Sequence, residues 1–600
     1  MADPFSVLSI YRPGDFHILP LIYRISHGPF GEFLHYETRG QGWNCFPGLS
    51  VFPLAICFRI FGEFGFIICD VLVTIFRWIL FWMLLAPWFS SRRASMLLSL
   101  VLLILGSFNQ LPWVYAIWNW LYPRRFFSNL FYLGFLVFFF RIAQPLRLLK
   151  STFPSASKTA PPPFFDAFGT LLPDTWCFPL LGIFLGIAVQ GDVYSGQLGV
   201  CLALILTWKS WKHEFFRRGM IQAWAAFFFT LTPFILQLTF SPDYLKARLG
   251  VFPIDRLSAL TDRGIIDYLF SPTWVMLAAL LILFILRKRF IRLQHRLLIE
   301  FSCASVLLAM VLPNLSGFVL GRHVQPYHYF ELFYQTLGYA EWFILIFLLQ
   351  SISLWSPRFR SFGSKALVPG CILLVLTGGW LTIQRDVLPA ASQNTQQRSW
   401  TNEGWSPLPF YRPDFARLVE ELSKPEYDKR SVLGTFDHQV VCWWGSFREG
   451  FLYIPDPGYS LAPDDLIERR FLEFCTLVGL SSGNLASCLQ NPEYLIKNFH
   501  SHSKYQAHRY YSFFPKEAYS NHEWERIRKS LFTWGLTIPA IERQRILDLF
   551  ATQPQLSGRL DVVVLTKIPD YPGLRVNDPR FRKTFENQTF AVWVASESTR

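Results

Sequence analysis

Long apolar windows recur through the first two thirds of the chain, and they limit the folds that it can adopt. Residues 64–88 (FGFIICDVLVTIFRWILFWMLLAPW) exceed the roughly 20 apolar residues that a helix needs to cross a bilayer. Similar windows follow at 95–112, 126–147, 178–190, 193–209, 220–240, 272–287, 297–320, 330–354 and 366–383. Only 16% of the residues are charged, which supports the same interpretation. We therefore predict an α-helical polytopic membrane protein with about ten transmembrane helices.

The basic residues are placed largely as the positive-inside rule requires. Although the net charge is +14, Lys and Arg cluster in short segments between the apolar windows. When the windows alternate across a membrane, five such segments fall on one side, which the rule makes cytoplasmic. They are SSRR (90–93), RLLKSTFPSASK (147–158), WKSWKHEFFRRG (208–219), RKRFIRLQHR (287–296) and SPRFRSFGSK (356–365), while the short cluster YPRRF (122–126) falls on the other side. This arrangement predicts contact with membrane lipids and argues against nucleic-acid binding.

The composition changes at about residue 385, after which no further apolar window follows. Four later segments have the pattern of strands, 431–437, 450–455, 561–568 and 589–595, and three that of helices, 464–480, 522–536 and 540–553. The prediction therefore has three regions. These are an extracytoplasmic loop with an interfacial helix (1–62), a transmembrane helical domain (63–384) and a soluble extracytoplasmic α/β domain (385–600).

The first predicted loop carries several titratable residues. Asp15 and His17 are separated by one residue, so in an extended segment both side chains point to the same side. Such a pair suits a general base with an orienting partner, or two ligands of a divalent cation such as Mg²⁺ or Mn²⁺. The same stretch contains His27, Glu32, His35 and Glu37. The alternative is an interfacial loop whose polar groups face water.

Two further polar stretches are predicted on the same side of the membrane. Asp192 lies in a tight turn between two apolar windows, where it can either serve a site or cap a helix. The basic loop, residues 241–264, contains Lys246, Arg248, Arg256 and Arg263 on the side that the orientation rule disfavours. Guanidinium groups such as that of Arg248 can bind phosphate there, and contact with lipid headgroups is the alternative.

The polar segment, GRHVQPYHYFE at residues 321–331, lies between two apolar windows. It holds four candidate binding residues, Arg322, His323, Gln325 and His328. Ionisable groups near membrane depth are costly unless they are paired or functional, which favours a functional role for this segment. The spacing of its two histidines is not that of a zinc site, and HEXXH, GxSxG and CxxC are all missing from the chain. Zinc hydrolysis and serine acyl transfer therefore lack their usual motifs.

Four stretches together resemble the GT-C superfamily of integral-membrane glycosyltransferases. They are GDFHILPLIYRI (14–25), FPGLSVFPLAICFRIFGEFG (46–65), GIFLGIAVQGDVYSG (182–196) and GRHVQPYHYF (321–330). The resemblance implies a sugar donor linked to a polyprenyl phosphate, and an essential acid in the first extracytoplasmic loop that acts as general base or metal contact. Asp15 matches that position, and Glu37 is the second choice. The superfamily normally places a spanning helix before this loop, and the resemblance leaves open whether one precedes residue 1.

The resemblance also implies roles for the other candidate residues. Asp15 would be the base, with His17 orienting it or sharing a metal, while Arg322 and His323, helped by Arg248, would hold the lipid phosphate. CWWGSF (442–447) has the tryptophans of an oligosaccharyltransferase motif without its acid, so no peptide acceptor is implied.

Two other functions stay open, a transporter or flippase of lipid-linked saccharides and a non-catalytic membrane assembly protein. Transporters more often place ionisable groups near the bilayer midplane and contain internal repeats. Here the polar groups gather at one edge and no repeat is visible, which favours chemistry at a surface. The sequence indicates neither the oligomeric state nor the identity of the sugar and acceptor. Cys442, Cys475 and Cys488 can form one disulfide if their domain faces an oxidising compartment.

Overall fold

The computed structural model describes a little over half of the chain. The described residues are 19–27, 48–86, 95–100, 124–152, 176–240, 251–253, 256–260, 277–278, 280–285, 293–324, 336, 340, 413–447, 450–454, 464–490, 540–567 and 574–596. The predicted helix at 522–536 and the apolar window at 366–383 lie outside them, as does nearly all of the window at 330–354.

The first region of the structure is helical. Its helices are α1 (Leu19–His27), α2 (Gly48–Phe61), α3 (Gly65–Leu85), α4 (Arg124–Thr152), α5 (Cys177–Gly191), α6 (Val193–Ser210), α7 (Glu214–Phe240), α8 (Arg256–Leu260) and α9 (Leu293–Leu320). Two short strands, β1 (Val251–Pro253) and β2 (Arg322–Val324), complete it. The apolar windows at 126–147, 178–190, 193–209, 220–240 and 297–320 are thus confirmed as helices.

Two of the described helices are long and apolar enough to cross a membrane, Glu214–Gln237 within α7 and Arg296–Leu320 within α9. Shorter apolar helices occur at Leu49–Phe61, Val71–Leu85, Leu130–Leu146 and Cys177–Gly191. Large apolar side chains on α7 and α9 remain exposed, among them Phe228, Phe229, Phe240, Leu307 and Val319. Water would disfavour so many exposed apolar groups on neighbouring turns. The structure therefore shows a mostly helical fold with two helices of membrane-crossing length and composition, and the number of ten spans stays a prediction.

Glycines let the central helices approach closely. On α5, Gly182 and Gly186 form the GxxxG spacing that is common where membrane helices meet. A Cβ added at Gly182 would lie 2.0 Å from the carbonyl oxygen of Ala223 on α7, and one at Gly186 would lie 2.9 Å from Cβ of Thr230. Because no side chain larger than hydrogen fits there, α5 and α7 pack backbone to backbone. The buried Gln190 joins the same pair by donating from Nε2 to the carbonyl oxygen of Thr230 at 2.8 Å.

The C-terminal region is an α/β domain. Its helices are α10 (Pro413–Leu422), α11 (His438–Phe447), α12 (Asp464–Leu477), α13 (Ser482–Gln490) and α14 (Ala540–Ala551). Its strands are β3 (Val432–Gly434), β4 (Phe451–Leu452), β5 (Val562–Thr566), β6 (Phe581–Glu586) and β7 (Phe590–Ala595). The sheet order is β4-β3-β5-β7-β6, in which β4, β3 and β5 are parallel while β7 is antiparallel to β5 and β6. The predicted α/β character is confirmed.

Both faces of this sheet are covered, because alternate residues of β5 enter two different clusters. Val563 and Leu565 join a core with Phe471 and Phe474 of α12. Val562 and Val564 join the cluster that includes Leu418 of α10 and Trp444 of α11. A strand buried on both faces needs an unbroken apolar run, which VVVL at 562–565 supplies.

Helix α1 connects the two regions. It contacts α2 of the helical region and α11 of the α/β domain. Ile22 and Ile25 of α1, Phe58 of α2, and Val440 and Trp444 of α11 all belong to one buried apolar cluster. The segment CWWGSF is therefore part of a helix that joins the domain to the helical region. Of the three cysteines proposed for a disulfide, Cys475 is buried in the second core, while the side chains of Cys442 and Cys488 lie outside the described part.

Candidate functional site

The polar segment begins as a strand that pairs with the basic loop. β2 lies antiparallel to β1, with Val324 opposite Val251, His323 opposite Phe252 and Arg322 opposite Pro253. Helix α9 ends immediately before it, where Gly321 has a φ of +62° and donates its N–H to the carbonyl oxygen of Gly317 at 2.9 Å. Glycine suits this left-handed position, which ends a helix and redirects the chain. The local sequence thus turns α9 directly into a strand.

A cation of the basic loop lies over this turn. Arg256 begins α8, three residues after β1 ends, and α8 contacts α9. A Cβ added at Gly321 would lie 3.4 Å from Nε of Arg256. The side chain of Arg256 is exposed, so an anion in the surroundings can reach its guanidinium. The strand pair therefore brings the basic loop against the start of the polar segment.

The junction between α5 and α6 lies towards the end of α7, because Gln190 near the end of α5 bonds to Thr230 of α7. A turn at 211–213 reverses the chain between α6 and α7, so the end of α7 at Phe240 returns to the side where α6 begins. β1 follows α7 after ten residues, and β2 follows α9. We call this side the strand-pair edge: the α5–α6 junction, the β1–β2 pair and the start of α8.

Asp192 has the geometry of a helix N-cap at this edge. It lies between α5 and α6, only 6% exposed, with φ −150° and ψ 100°. Its Oδ2 accepts the Oγ hydroxyl of Ser195 at 3.0 Å, and its carbonyl oxygen accepts the N–H of Gly196 at 3.0 Å. Extended dihedrals, together with a carbonyl oxygen that accepts the first bond of the following helix, are those of an N-cap residue. The side-chain oxygen holds the hydroxyl of the third helical residue. The predicted tight turn is confirmed, and its aspartate stabilises the start of α6.

Of the six titratable residues named in the first loop, His27 is the one that lies within the described part of the chain. Its ring stacks on Tyr23, with centroids 4.1 Å apart, at the end of α1. The Oγ hydroxyl of Ser26 donates to the carbonyl oxygen of Tyr23 at 2.7 Å, so it can only accept from Nδ1 of His27, 2.7 Å away. These bonds favour the tautomer with its proton on Nδ1.

One charged residue of the helical region escaped the sequence analysis. Arg77 is only 4% exposed, on the face of α3 that also buries Val73 and Leu80. A guanidinium inside an apolar helix is costly and usually marks a structural or functional partner. The signal was present, since Arg77 is a lone cation in the middle of the 64–88 window.

The remaining candidates are placed only in part. Asp192 is fully described, and for Arg322 and His323 the structure describes the backbone. Six predicted site residues lie outside the described residues, namely Asp15, His17, Glu37, Arg248, Gln325 and His328. Asp15 and His17 come shortly before α1 in the chain. Within the described part, no group of three His, Cys, Asp or Glu side chains could hold a metal ion.

Comparison with models of known protein families finds no match for this chain, and comparison with curated proteins finds none either. The geometry of the strand-pair edge itself is therefore the basis for a functional proposal.

Proposed function

We propose that this chain is a multi-pass membrane protein of about ten spans, with its α/β domain on the extracytoplasmic side. Two membrane-length helices, the exposed apolar faces of α7 and α9, and the GxxxG contact between α5 and α7 support this placement. The basic segments between the windows supply the orientation. In this arrangement the strand-pair edge lies on the same side as the α/β domain.

We further propose that the protein transfers a sugar from a polyprenyl-phosphate donor to an extracytoplasmic acceptor. The observation that carries the proposal is the β1–β2 pair, because it aligns the backbone of Arg322 with the basic loop and brings Arg256 to Gly321. Transfer from such a donor releases a phosphate whose growing negative charge must be stabilised. Cations converging at the end of a membrane helix suit a lipid phosphate held at the bilayer surface.

The residues divide into two groups in this proposal. Arg322, His323 and Arg248 hold the lipid phosphate, while Gln325 and His328 contact the rest of the substrate. Asp15 acts as the general base that activates the acceptor hydroxyl, with His17 orienting it and Glu37 as the second choice of acid. Helix α1 supports this arrangement, since it follows Asp15 closely and is held between α2 and α11. Asp192 contributes the cap of α6 to the same edge.

The proposal is tested with the full chain in reconstituted membranes and a panel of radiolabelled polyprenyl-phosphate sugars. Release of polyprenyl phosphate, together with label transferred to an acceptor, is the readout. We expect Arg322→Ala and Asp15→Asn each to abolish both signals. Arg582→Ala removes an exposed arginine of the α/β domain and should leave both unchanged.

Near-normal release in Arg322→Ala or Asp15→Asn would overturn the assignment of that residue. The same vesicles separate the two alternatives, because a flippase moves the intact donor between leaflets without cleaving it. An assembly protein would leave the donor both uncleaved and unmoved.

A further inference from the structure

The turn between α6 and α7 presents two large aromatic rings to the outside. Trp208 is 80% exposed and Trp211 is 54% exposed, although an indole is among the side chains that gain most from burial. Lys209 and Lys212 alternate with them and are exposed as well. Tryptophans beside cations at the end of apolar helices are characteristic of the headgroup region of a bilayer.

The turn is held in shape by partly buried hydrogen bonds. Ser210 is fully buried and donates to the carbonyl oxygen of Thr207 at 2.8 Å, while the N–H of His213 donates back to Ser210 at 3.0 Å. Nε1 of Trp224 on α7 donates to the Oγ1 of Thr207 at 2.9 Å. These bonds join the end of α6 to α7. The backbone that carries the exposed tryptophans and lysines is therefore already ordered before a ligand binds. Binding then loses little entropy in ordering the turn.

The charges of the turn are strongly unbalanced. Glu214 is the only acidic residue in 208–219, and its Oε1 pairs with Nη2 of Arg218 at 2.5 Å. Within the described stretch 208–219, no ion pair is formed by Lys209, Lys212 or Arg217. The N-terminus of α7 starts at Glu214, and its first N–H groups and helix dipole add positive potential. A negatively charged group is therefore attracted to this end of the helical region.

We propose that the α6–α7 turn, residues 208–218, is a binding site for the headgroup of an anionic phospholipid. Lys209 and Lys212 hold the lipid phosphate, and Trp208 and Trp211 lie at the boundary between headgroup and acyl chain. The commitment to a lipid follows from the exposed indoles, which a soluble phosphate would leave in water. This inference rests on the membrane placement of α6 and α7 and is independent of sugar transfer.

The test uses the full chain purified in a neutral detergent at low salt and titrated with phosphatidylglycerol or phosphatidylcholine. Native mass spectrometry counts the bound lipids and gives the affinity for each. Each lysine near an anionic surface is expected to contribute roughly fivefold to affinity. Lys209→Gln with Lys212→Gln should therefore weaken phosphatidylglycerol binding by about 25-fold and leave phosphatidylcholine binding nearly unchanged. Trp208→Ala with Trp211→Ala should weaken both lipids.

A charge-matched control is Lys429→Gln with Lys583→Gln, which removes two exposed lysines of the α/β domain and should retain the wild-type preference. Equal affinity of the wild type for the two lipids would overturn the proposal without any variant. If the control variant lost as much affinity for phosphatidylglycerol as the Lys209→Gln, Lys212→Gln variant, net charge alone would explain the binding. That result would also overturn the proposal. Carbonate extraction of cell membranes tests insertion separately, so a failed site is distinguished from a failed membrane placement.

Discussion

The helical region and the α/β domain bury polar groups in opposite ways. The α/β domain buries carboxylates and neutralises them with ion pairs and hydrogen bonds. Glu468 accepts two bonds from Arg545, at 2.8 and 2.9 Å, and Asp561 accepts the N–H groups of Ser431 and Val432. The helical region mostly buries hydroxyls and amides that donate to backbone carbonyls, as Ser302 does to Leu298 at 2.8 Å. The difference is the one expected between a region that lies in lipid and a region that lies in water, and it agrees with the proposed membrane placement.

The two regions also differ in what brings their elements together. Apolar side chains of β5 fill the space between helices and sheet in the α/β domain, whereas glycines remove side chains between α5 and α7. In a membrane, close backbone contact replaces the hydrophobic driving force that water supplies. Stability should therefore depend on glycines that face a neighbouring backbone in the helical region and on buried charge pairs in the α/β domain, whose tight glycines Gly434 and Gly450 face side chains.

The largest expected effect is that of Gly182→Ala. The new Cβ would lie 2.0 Å from the carbonyl oxygen of Ala223, so α5 and α7 must separate. We expect a loss of about 3 kcal/mol or failure to fold, measured by thermal unfolding and by the yield of monodisperse protein in detergent. Gly483→Ala is the matched control, because nothing lies within 4 Å of its added Cβ. It lies in α13 of the α/β domain and should gain up to about 1 kcal/mol. Similar losses of stability for Gly182→Ala and Gly483→Ala would contradict the idea that close glycine contacts between helices stabilise the helical region.

Glu468→Gln should have the next largest effect. The substitution leaves the guanidinium of Arg545 without its bidentate partner, although Glu542 still pairs with Nε at 2.6 Å. Because Glu468 is buried and Arg545 is partly exposed, we expect a loss of about 2 kcal/mol in chemical denaturation of the α/β domain.

The control for this variant is Glu586→Gln in the same domain. Hydrogen bonds from Lys567 and Lys583 lower the pKa of Glu586 to about 2, yet this carboxylate is exposed, and water screens both ion pairs. We expect no measurable change in stability at neutral pH. A larger loss for Glu586→Gln than for Glu468→Gln would show that burial is not what makes charge pairs matter here.

The same contrast explains which elements the sequence could predict. β5 and β7 were predicted because each is a continuous apolar run buried on both faces. β6 (FRKTFE) was not, since it is an edge strand whose charged residues resemble a loop. Helix α11 was also missed, because its tryptophans were compared with a catalytic motif, whereas they pack against neighbours distant in the chain. The local sequence pattern indicates which residues are buried, but it does not indicate which distant element they pack against.

The candidate site follows the same rule. The turn at Asp192 could be predicted because two apolar windows meet there with only a few polar residues between them. The pairing of β1 with β2 could not, since each strand has three residues and about 70 residues separate them along the chain. Arg77 was missed although its sequence context was visible, because the window was judged by its overall hydropathy. Roles for Asp15 and Arg322 remain predictions from a resemblance.

A smaller effect is expected for Tyr427→Phe. The buried hydroxyl of Tyr427 lies 3.1 Å from Oε1 of Glu421 and 3.0 Å from Oγ1 of Thr584, so its loss should cost about 1 kcal/mol at neutral pH. Burial raises the pKa of Tyr427 from 10 to about 12, which keeps it neutral in the folded state. Above pH 10 the unfolded chain loses this proton first, so the wild type loses stability as the pH rises towards about 12.

The phenylalanine variant lacks this titration, so its deficit should shrink between about pH 10 and about pH 12. Denaturation of both proteins at neutral and alkaline pH, followed by intrinsic fluorescence, measures the change. A constant difference in stability between the two proteins across that range would mean that burial in the α/β domain does not raise the pKa of Tyr427.

Asp192 is the exception that tests the comparison most finely, because it is a buried carboxylate inside the helical region. Its bond with Ser195 and its extended backbone give it the role of a cap, and asparagine caps a helix about as well as aspartate. We expect Asp192→Asn to change stability by less than about 0.5 kcal/mol, whereas Asp192→Ala should lose about 1 kcal/mol. If capping is its whole role, Asp192→Asn also keeps full release of polyprenyl phosphate in the reconstituted assay. If Asp192→Asn instead stopped the release of polyprenyl phosphate while stability was unchanged, the negative charge of Asp192 would be needed for the reaction. Asp192 would then be a substrate-binding or catalytic residue of the strand-pair edge as well as a helix cap.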